Sequence, residues 1–508
     1  MSNASRADPK GVLVSQGQTD TTYAPSIRLE IDRAYYWRVD EVGAAPGNAT
    51  VKGSVWSFTA EAYSIPVRNV TAKASSRNGP TTGPEKTVDG SGLAPSDQHS
   101  TLDADMWLSG PGSPQWIQYE FGKTVKLDQM LVWNSNQGYE PLFGFGAKQV
   151  VVDYSADGQT WSKLGEFEFA RAPGTAACTA DTKVPFGGVT ARYVKLTIQS
   201  NWGNLTLGFG LSEVRFLAVP TSAREPDPAD GATNVAPAIT LNWRPGREAG
   251  THEVYLGTDP NALALAATVT QPSLEMSCNL DETYYWKVNE VNAVKDPASW
   301  ESDVWSLSTQ PYIVLDDFES YTNESPKRLF QTWIDGLGFS PDDFFPEGGK
   351  GNDSGALVGY DPLAGDIVET VRVNSGSQSM PIFCDNSTAS FSEAQHTFAE
   401  PQDWSKYGIK TLSLAFHGDP NNTGQMYIKI NSTKIPYNGK TEDIKRTLWQ
   451  PWNIDLASTG ANLTSITKLA IGVDGAAAAG VLYIDDIRLY PQAGELILPV
   501  DPGTTGLI

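Results

Sequence analysis

Apolar and polar residues alternate with period two over much of this chain, and the sharpest example occurs twice. YYWRVDEV at Tyr35–Val42 and YYWKVNEV at Tyr284–Val291 set aromatic and Val residues against polar neighbours, the pattern of a strand with one buried face. A polar loop then leads to a second matching run, VWSFT at Val55–Thr59 and VWSLS at Val304–Ser308. Self-similarity of this kind marks a duplicated module, here two antiparallel strands of a β-sandwich used twice. The second copy also has an earlier half, from Pro228 to about Leu256, in which Leu241 and Trp243 of ITLNW are predicted to face the core. The first copy has no counterpart to that half. Its strands are expected to carry open edges and an exposed apolar face.

Similar runs fill the rest of the chain. Between the copies lie WIQYEFG (Trp116–Gly122), MLVWN (Met130–Asn134), VVVDYSADGQTW (Val150–Trp161), RYVKLTIQSNWGN and GLSEVRFL, which ends at Leu217. After the second copy, IVLDDFESY opens and GVLYIDDIRLY closes a last stretch of strand-like segments. Many short alternating runs broken by turn residues predict an all-β, multidomain chain of β-sandwiches. The expected division is a half module over 1–63, domains over 64–218, 219–311 and 312–491, and a linker over 492–508. A length of 508 residues suits three to four such cores.

Charge and rare residues then narrow the function. A formal net charge of −22 leaves no electrostatic footprint for nucleic acid or for anionic lipid. No apolar run is long enough to span a bilayer, so no membrane insertion is expected. The three cysteines, Cys178, Cys278 and Cys384, are far apart and lack zinc-site spacing; they read as separate buried residues. The four histidines, His99, His252, His396 and His417, form no metal-ligand motif, and there is no GxSxG elbow or phosphate-cradling glycine loop. No catalytic residue is assigned. Both ends read as cut from a longer protein, with the opening Met-Ser-Asn-Ala as an expression scar.

The segment 64–218 carries a sharper signal. VDG at Val88–Gly90, WIQYEFG, YSADGQTW, ARYVKL and GLSEVRF follow one another in order across it. This succession resembles the discoidin, or coagulation-factor type C (F5/8 C), family, which includes carbohydrate-binding modules with the same galactose-binding-like jelly roll. The resemblance implies a structural calcium held by Asp89 and Glu213, with backbone carbonyls near Lys86 and Ser100. Hard calcium takes about six to eight oxygens. Read from the residues alone, Asp89 serves equally as a turn cap and Glu213 as a solvated strand residue. The resemblance also implies glycan contacts on loops at one end of the fold, where an aromatic stacks on a pyranose and polar groups read its hydroxyls. The candidates are His99, Asn134, Asn136, Tyr139, Trp202 and Phe209, whereas Trp107, Trp116 and Trp161 read as core.

The segment 219–311 is similar to a fibronectin type III module, with a Trp on an early strand and Tyr-rich later ones. The end strands of 312–491 resemble those of a second galactose-binding-like jelly roll. There the resemblance implies another structural calcium, on Asp317, Glu319 and Asp485, the first two leaving one strand face. Trp333, Tyr360 and His417 lie in loop-like stretches, and Trp404, Trp449 and Trp452 read as structural. The module order resembles large secreted proteins of planctomycete-type bacteria. The expectation is a non-catalytic, secreted or cell-surface carbohydrate-binding segment whose partner is a glycan or polysaccharide. The alternative is an adhesive surface protein whose sandwiches bind copies of itself or other proteins.

Overall fold

The alternating runs form strands almost throughout. The computed structural model describes residues 13–23, 25, 29–30, 33–43, 49–204, 207–361, 363 and 365–496. The tail expected over 492–508 therefore lies outside the described residues from 497 onward. The chain forms two compact units, one of 1–223 with 245–250 and 290–300, the other of 224–244, 251–289 and 301–508.

In the first unit, the first copy of the duplicated motif pairs Ala34–Trp37 antiparallel with Trp56–Thr59, placing Trp37 opposite Trp56. An eight-stranded sheet follows. Its main path runs Ser162–Glu168, Ala147–Ser155, Thr182–Asn201, Gln115–Asn134, Gly210–Val219 and Ile65–Pro66. WIQYEFG and MLVWN are parts of one 20-residue strand, Gln115–Asn134. Its partner Thr182–Asn201 slips register between Pro185 and Val189, where Gly187 and Gly188 take φ of +66° and +84°. Glycine reaches that backbone region at little cost, and such bulges bend a long strand. Ile117, Tyr119, Phe121, Val150, Val152, Val194, Leu196, Ile198, Val214 and Phe216 then share one buried core. Trp107 belongs to it, but Trp116 and Trp161 are only half-buried and flank the Lys195 ammonium, 5.3 and 6.0 Å from their rings.

The second unit holds four larger sheets. Arg224–Asp227, Ala238–Arg244 and Ser273–Ser277 form a three-stranded sheet. Ala232–Val235, Trp305–Thr309, Thr283–Val291, Thr251–Gly257 and Ala264–Val269 run side by side in another. Leu241 and Trp243 face the core as expected, 0% and 4% exposed. Trp243 packs 6.2 Å from Trp286, which in turn lies 4.7 Å from Trp305.

The C-terminal strands form two further sheets. One runs Ala356–Val358, Met380–Asp385, Ala479–Tyr490, Thr411–His417 and Trp449–Asp455, with Ile313–Asp316 also on Ala479–Tyr490. The other runs Trp333–Ile334, Phe391–Gln402, Ile466–Asp474, Gln425–Ile430 and Thr433–Pro436. Phe416, Leu414, Ile484, Leu482, Trp452, Ile428, Ile471 and Trp404 pack into one core from the two sheets and their loops. Trp333 is fully buried there, which corrects its reading as a loop residue. All three cysteines are buried and unpaired.

Candidate functional site

The polar residues of the loops in 64–218 do their work inside the fold. The Asn136 amide donates to the carbonyls of His99 (3.1 Å), Ser100 (2.9 Å) and Thr175 (2.7 Å), and its oxygen accepts from Gly174 N (2.9 Å). One buried side chain thus ties three chain segments together. Asn134 donates to Ala147 O and Ala170 O at 2.7 and 2.8 Å. His99 is 1% exposed and its backbone bridges to Leu93 and Cys178. Phe209, 2% exposed, is part of the core. Buried backbone carbonyls need donors, and these asparagines supply them. His99, Asn134, Asn136 and Phe209 therefore shape the loops and do not present their side chains to solvent.

Tyr139 and Trp202 are placed differently. Tyr139 is 43% exposed, and its hydroxyl donates to Asp103 Oδ2 at 2.9 Å while accepting from Gln137 Nε2 at 3.3 Å. Around it stand Phe143 and Phe145, with ring centroids 5.9 and 6.4 Å from Tyr139 and 6.0 Å from each other. Phe143 is itself exposed. Trp202 is half-buried, donates its indole N–H to Phe169 O at 3.0 Å, and carries the Lys148 ammonium 4.6 Å from its ring. The aromatic cluster rests on the single turn Glu140–Phe143, which closes at Gly144 with φ +70°. A Cβ on Gly144 would sit 2.4 Å from Gly203 N, so glycine here lets the Tyr139 loop lie against the Trp202 loop. Glu140 is fully buried; burial pushes its carboxyl up to about 7, against the opposing Gly146 and Phe145 amides and the Arg171 guanidinium.

Sequence reasoning missed Asp103, Gln137, Phe143 and Phe145. The two Phe lie in GYEPLFGFG, a run of aromatics in a turn-rich loop that lacks strand alternation; Asp103 and Gln137 lie outside it.

The two implied calcium sites differ. Glu213 is 6% exposed, and burial first, then the charge of Asp89, push its carboxyl up to about 8. Its Oε2 is buried without a hydrogen-bond partner. Asp89 accepts from Ser91 N at 2.8 Å and lies 3.4 Å from Lys86 Nζ. Burial works against its ionised form, but the Ser91 bonds and Lys86 hold its carboxyl below the usual range. A carboxylate oxygen left without a donor beside a second carboxylate fits a hard divalent cation. The Ser100 carbonyl does not join the set, because the Asn136 amide and the His99 ring already take it.

Asp317, Glu319 and Asp485 do not converge. The strand stops at Asp316, and Phe318 adopts φ +61°, which breaks the alternation that would put Asp317 and Glu319 on one face. Glu319 instead accepts from Ser377 N and Gln378 N at 2.8 and 3.0 Å. Asp485 accepts from Asn374 N, Ser375 N and Asp486 N at 2.9, 3.2 and 2.8 Å. Backbone donors occupy these carboxylates, so the trio does not fit a shared ion. Among the described residues no group of three or more His, Cys, Asp or Glu gathers as a metal site.

Residues 71–209 match the F5/8 type C domain. No curated protein matches the chain. Similar solved structures include CpGH89CBM32-5 from Clostridium perfringens in complex with GalNAc-β-1,3-galactose, at 16% identity and a TM-score of 0.24, covering 30% of this chain and 98% of that one. The family 32 carbohydrate-binding module of C. perfringens NanJ, in complex with galactose, gives 17%, 0.24, 30% and 98%. A chitosan-binding module from a Paenibacillus sp. IK-5 chitosanase/glucanase gives 20%, 0.22, 30% and 96%. Among the described residues no helix is long and apolar enough to cross a membrane.

Proposed function

We propose that this chain is a non-catalytic, extracellular carbohydrate-binding segment, and that the loop end of its F5/8 type C domain holds the glycan. The exposed Tyr139 and Phe143, with the half-buried Phe145 and beside Asp103, carry this reading. Aromatic faces stack on the C–H face of a pyranose, and a few fixed polar groups orient it. Asp103, which is exposed, supplies an acceptor at the rim, and the buried Gln137 amide fixes the Tyr139 hydroxyl. The loops keep this shape because Asn136 ties them from below, which spares a ligand the ordering cost. Calcium at Asp89 and Glu213 would neutralise a buried charge and brace the turn after Val88, with no part in any reaction.

The test is binding of the whole chain to a glycan and polysaccharide panel, with calcium and with EDTA. Tyr139→Ala and Phe143→Ala are expected to abolish binding to a defined glycan, with Trp202→Ala acting less specifically because its indole also holds Phe169. Unchanged binding in both Tyr139→Ala and Phe143→Ala would remove the loop end from consideration.

One observation favours a second reading, adhesion through the sandwiches. Trp37 and Trp56 are each 47% exposed, whereas their counterparts Trp286 and Trp305 are 0% and 6% exposed. The two pairs have the same cross-strand register and the same 4.7 Å ring separation. An aromatic face buried in one copy and open in the other suits a protein partner. Concentration-dependent oligomers that Trp37→Ser dissolves would favour adhesion; a monomer would favour the tethered binding module.

A further inference from the structure

The sheet formed by Met380–Asp385, Ala479–Tyr490, Thr411–His417 and Trp449–Asp455 has an unusual outer face. Register places His417 opposite both Trp449 and Tyr483. The core takes the alternate residues Phe416 and Ile484, so His417, Trp449 and Tyr483 stand on the side away from it. The ring centroid of His417 lies 5.6 Å from Trp449 and 5.5 Å from Tyr483. The outer face of a sandwich sheet is ordinarily solvated and polar. Here it carries a row of rings under the segment that runs from Gly359 to Ser379.

That segment adds a fixed charge. Glu369, 4% exposed, accepts from Val371 N and Arg372 N at 2.6 and 3.1 Å, from the Tyr360 hydroxyl at 2.6 Å and from Arg372 Nη1 at 3.1 Å. Its acceptor capacity is filled, and it pins the guanidinium 4.9 Å from the Tyr483 ring. The Arg372 side chain is still 46% exposed. Tyr483 and His417 form a floor, 5% and 8% exposed, and Tyr360 and Trp449 flank it half-buried. His417 Nδ1 is buried with no hydrogen-bond partner.

We propose that this outer face is a second saccharide site, taking a neutral pyranose against Trp449 and Tyr360, with the free N–H groups of Arg372 as its polar contacts and His417 and Tyr483 as the floor beneath. Glu369 and Arg372 cancel one another, and burial lowers the His417 proton affinity so that the imidazole is neutral at pH 7. The site thus carries no net charge, on a chain whose charge of −22 repels polyanions. Half-buried rings beside a rigidly held donor are features that sugar recognition uses.

The experiment uses the whole chain carrying Tyr139→Ala and Phe143→Ala, which removes the loop-end site of the first unit. Titration calorimetry is run against gluco-, manno-, xylo- and galacto-oligosaccharides and against oligogalacturonate. The double variant is expected to retain binding to a neutral oligosaccharide. Adding Arg372→Gln or Trp449→Ala should weaken that binding by about tenfold or more. Arg372→Gln changes a half-exposed side chain and keeps the test valid if Trp449→Ala unfolds the sheet. Loss of all sugar binding in the double variant, while the wild-type chain binds, overturns this site and leaves the first one standing. Affinity unchanged by both added substitutions, or binding of oligogalacturonate alone, overturns it as well.

Discussion

Asn136→Ala tests how the loop end is built. The substitution deletes an amide whose two N–H groups are shared among His99 O, Ser100 O and Thr175 O, and whose oxygen accepts from Gly174 N. Each buried hydrogen bond contributes about 1 kcal/mol net, and a carbonyl left unpaired in the interior costs about 1–3 kcal/mol. With partial rewetting of the loops, a local loss of about 2–4 kcal/mol is expected. Melting of the whole chain would blur this, because a chain with several cores does not unfold in one transition. Hydrogen exchange resolves it by segment. Amides of 99–106, 134–139 and 172–178 should all exchange about 30- to 1000-fold faster, while those of Thr411–His417 and Ile466–Asp474 stay unchanged. The three loops must respond together, since one side chain holds them. Acceleration confined to 134–139 would refute the shared tie, and so would no acceleration at all.

Three further outcomes follow from buried groups. Glu140 has its carboxyl pushed up to about 7 by burial. Its favourable contribution is therefore complete below about pH 4.5 and is lost as pH rises through 7. Glu140→Gln should gain about 1–3 kcal/mol over wild type at pH 8 and nothing at pH 4; parallel stability curves would contradict this. Calcium should raise the melting temperature of the F5/8 type C domain at pH 7, and Glu213→Gln should abolish that response; a calcium shift that survives in the variant assigns the ion elsewhere. Cys178, Cys278 and Cys384, whose thiols burial pushes up to about 12, 11 and 12, should be inert to an aromatic disulfide reagent at pH 8 and react once denatured.

Much of the fold was legible because period-two alternation is a local signal. It marked the paired strands of the repeat and turned Leu241 and Trp243 inward. It failed where the backbone departs from a strand without announcing it. Asp317 and Glu319 look like neighbours on one face until Phe318 takes a left-handed φ, a conformation that no glycine marked. Asn134 and Asn136 read as solvent-facing loop residues because polarity was taken as exposure. A loop buried at its base needs side-chain donors for its carbonyls, and asparagine is the residue that supplies them. Trp449 and Trp452 are three apart on one strand, so they cannot share a face; one had to be outside the core, and the structure shows it is Trp449.

The proposed sites differ in what holds their rings in place, and this sets how each should fail. At the loop end, Tyr139 and Phe143 stand on a single helical turn whose position depends on Asn136, Gly144 and the buried Glu140. Ligand binding there is coupled to loop order, so substitutions beneath the surface should weaken it without touching the sugar. On the C-terminal sheet, Trp449, His417 and Tyr483 are fixed by strand pairing, and Tyr360 and Arg372 are held on their loop by Glu369. Binding there should be insensitive to changes at Asn136 and fall with loss of the guanidinium or of Glu369. Two individually weak sites on one chain also act together on a polymer through effective concentration. Removing either one should then cost far more affinity for a polysaccharide than for its short oligosaccharide, and that difference separates a two-site chain from one that binds through a single domain.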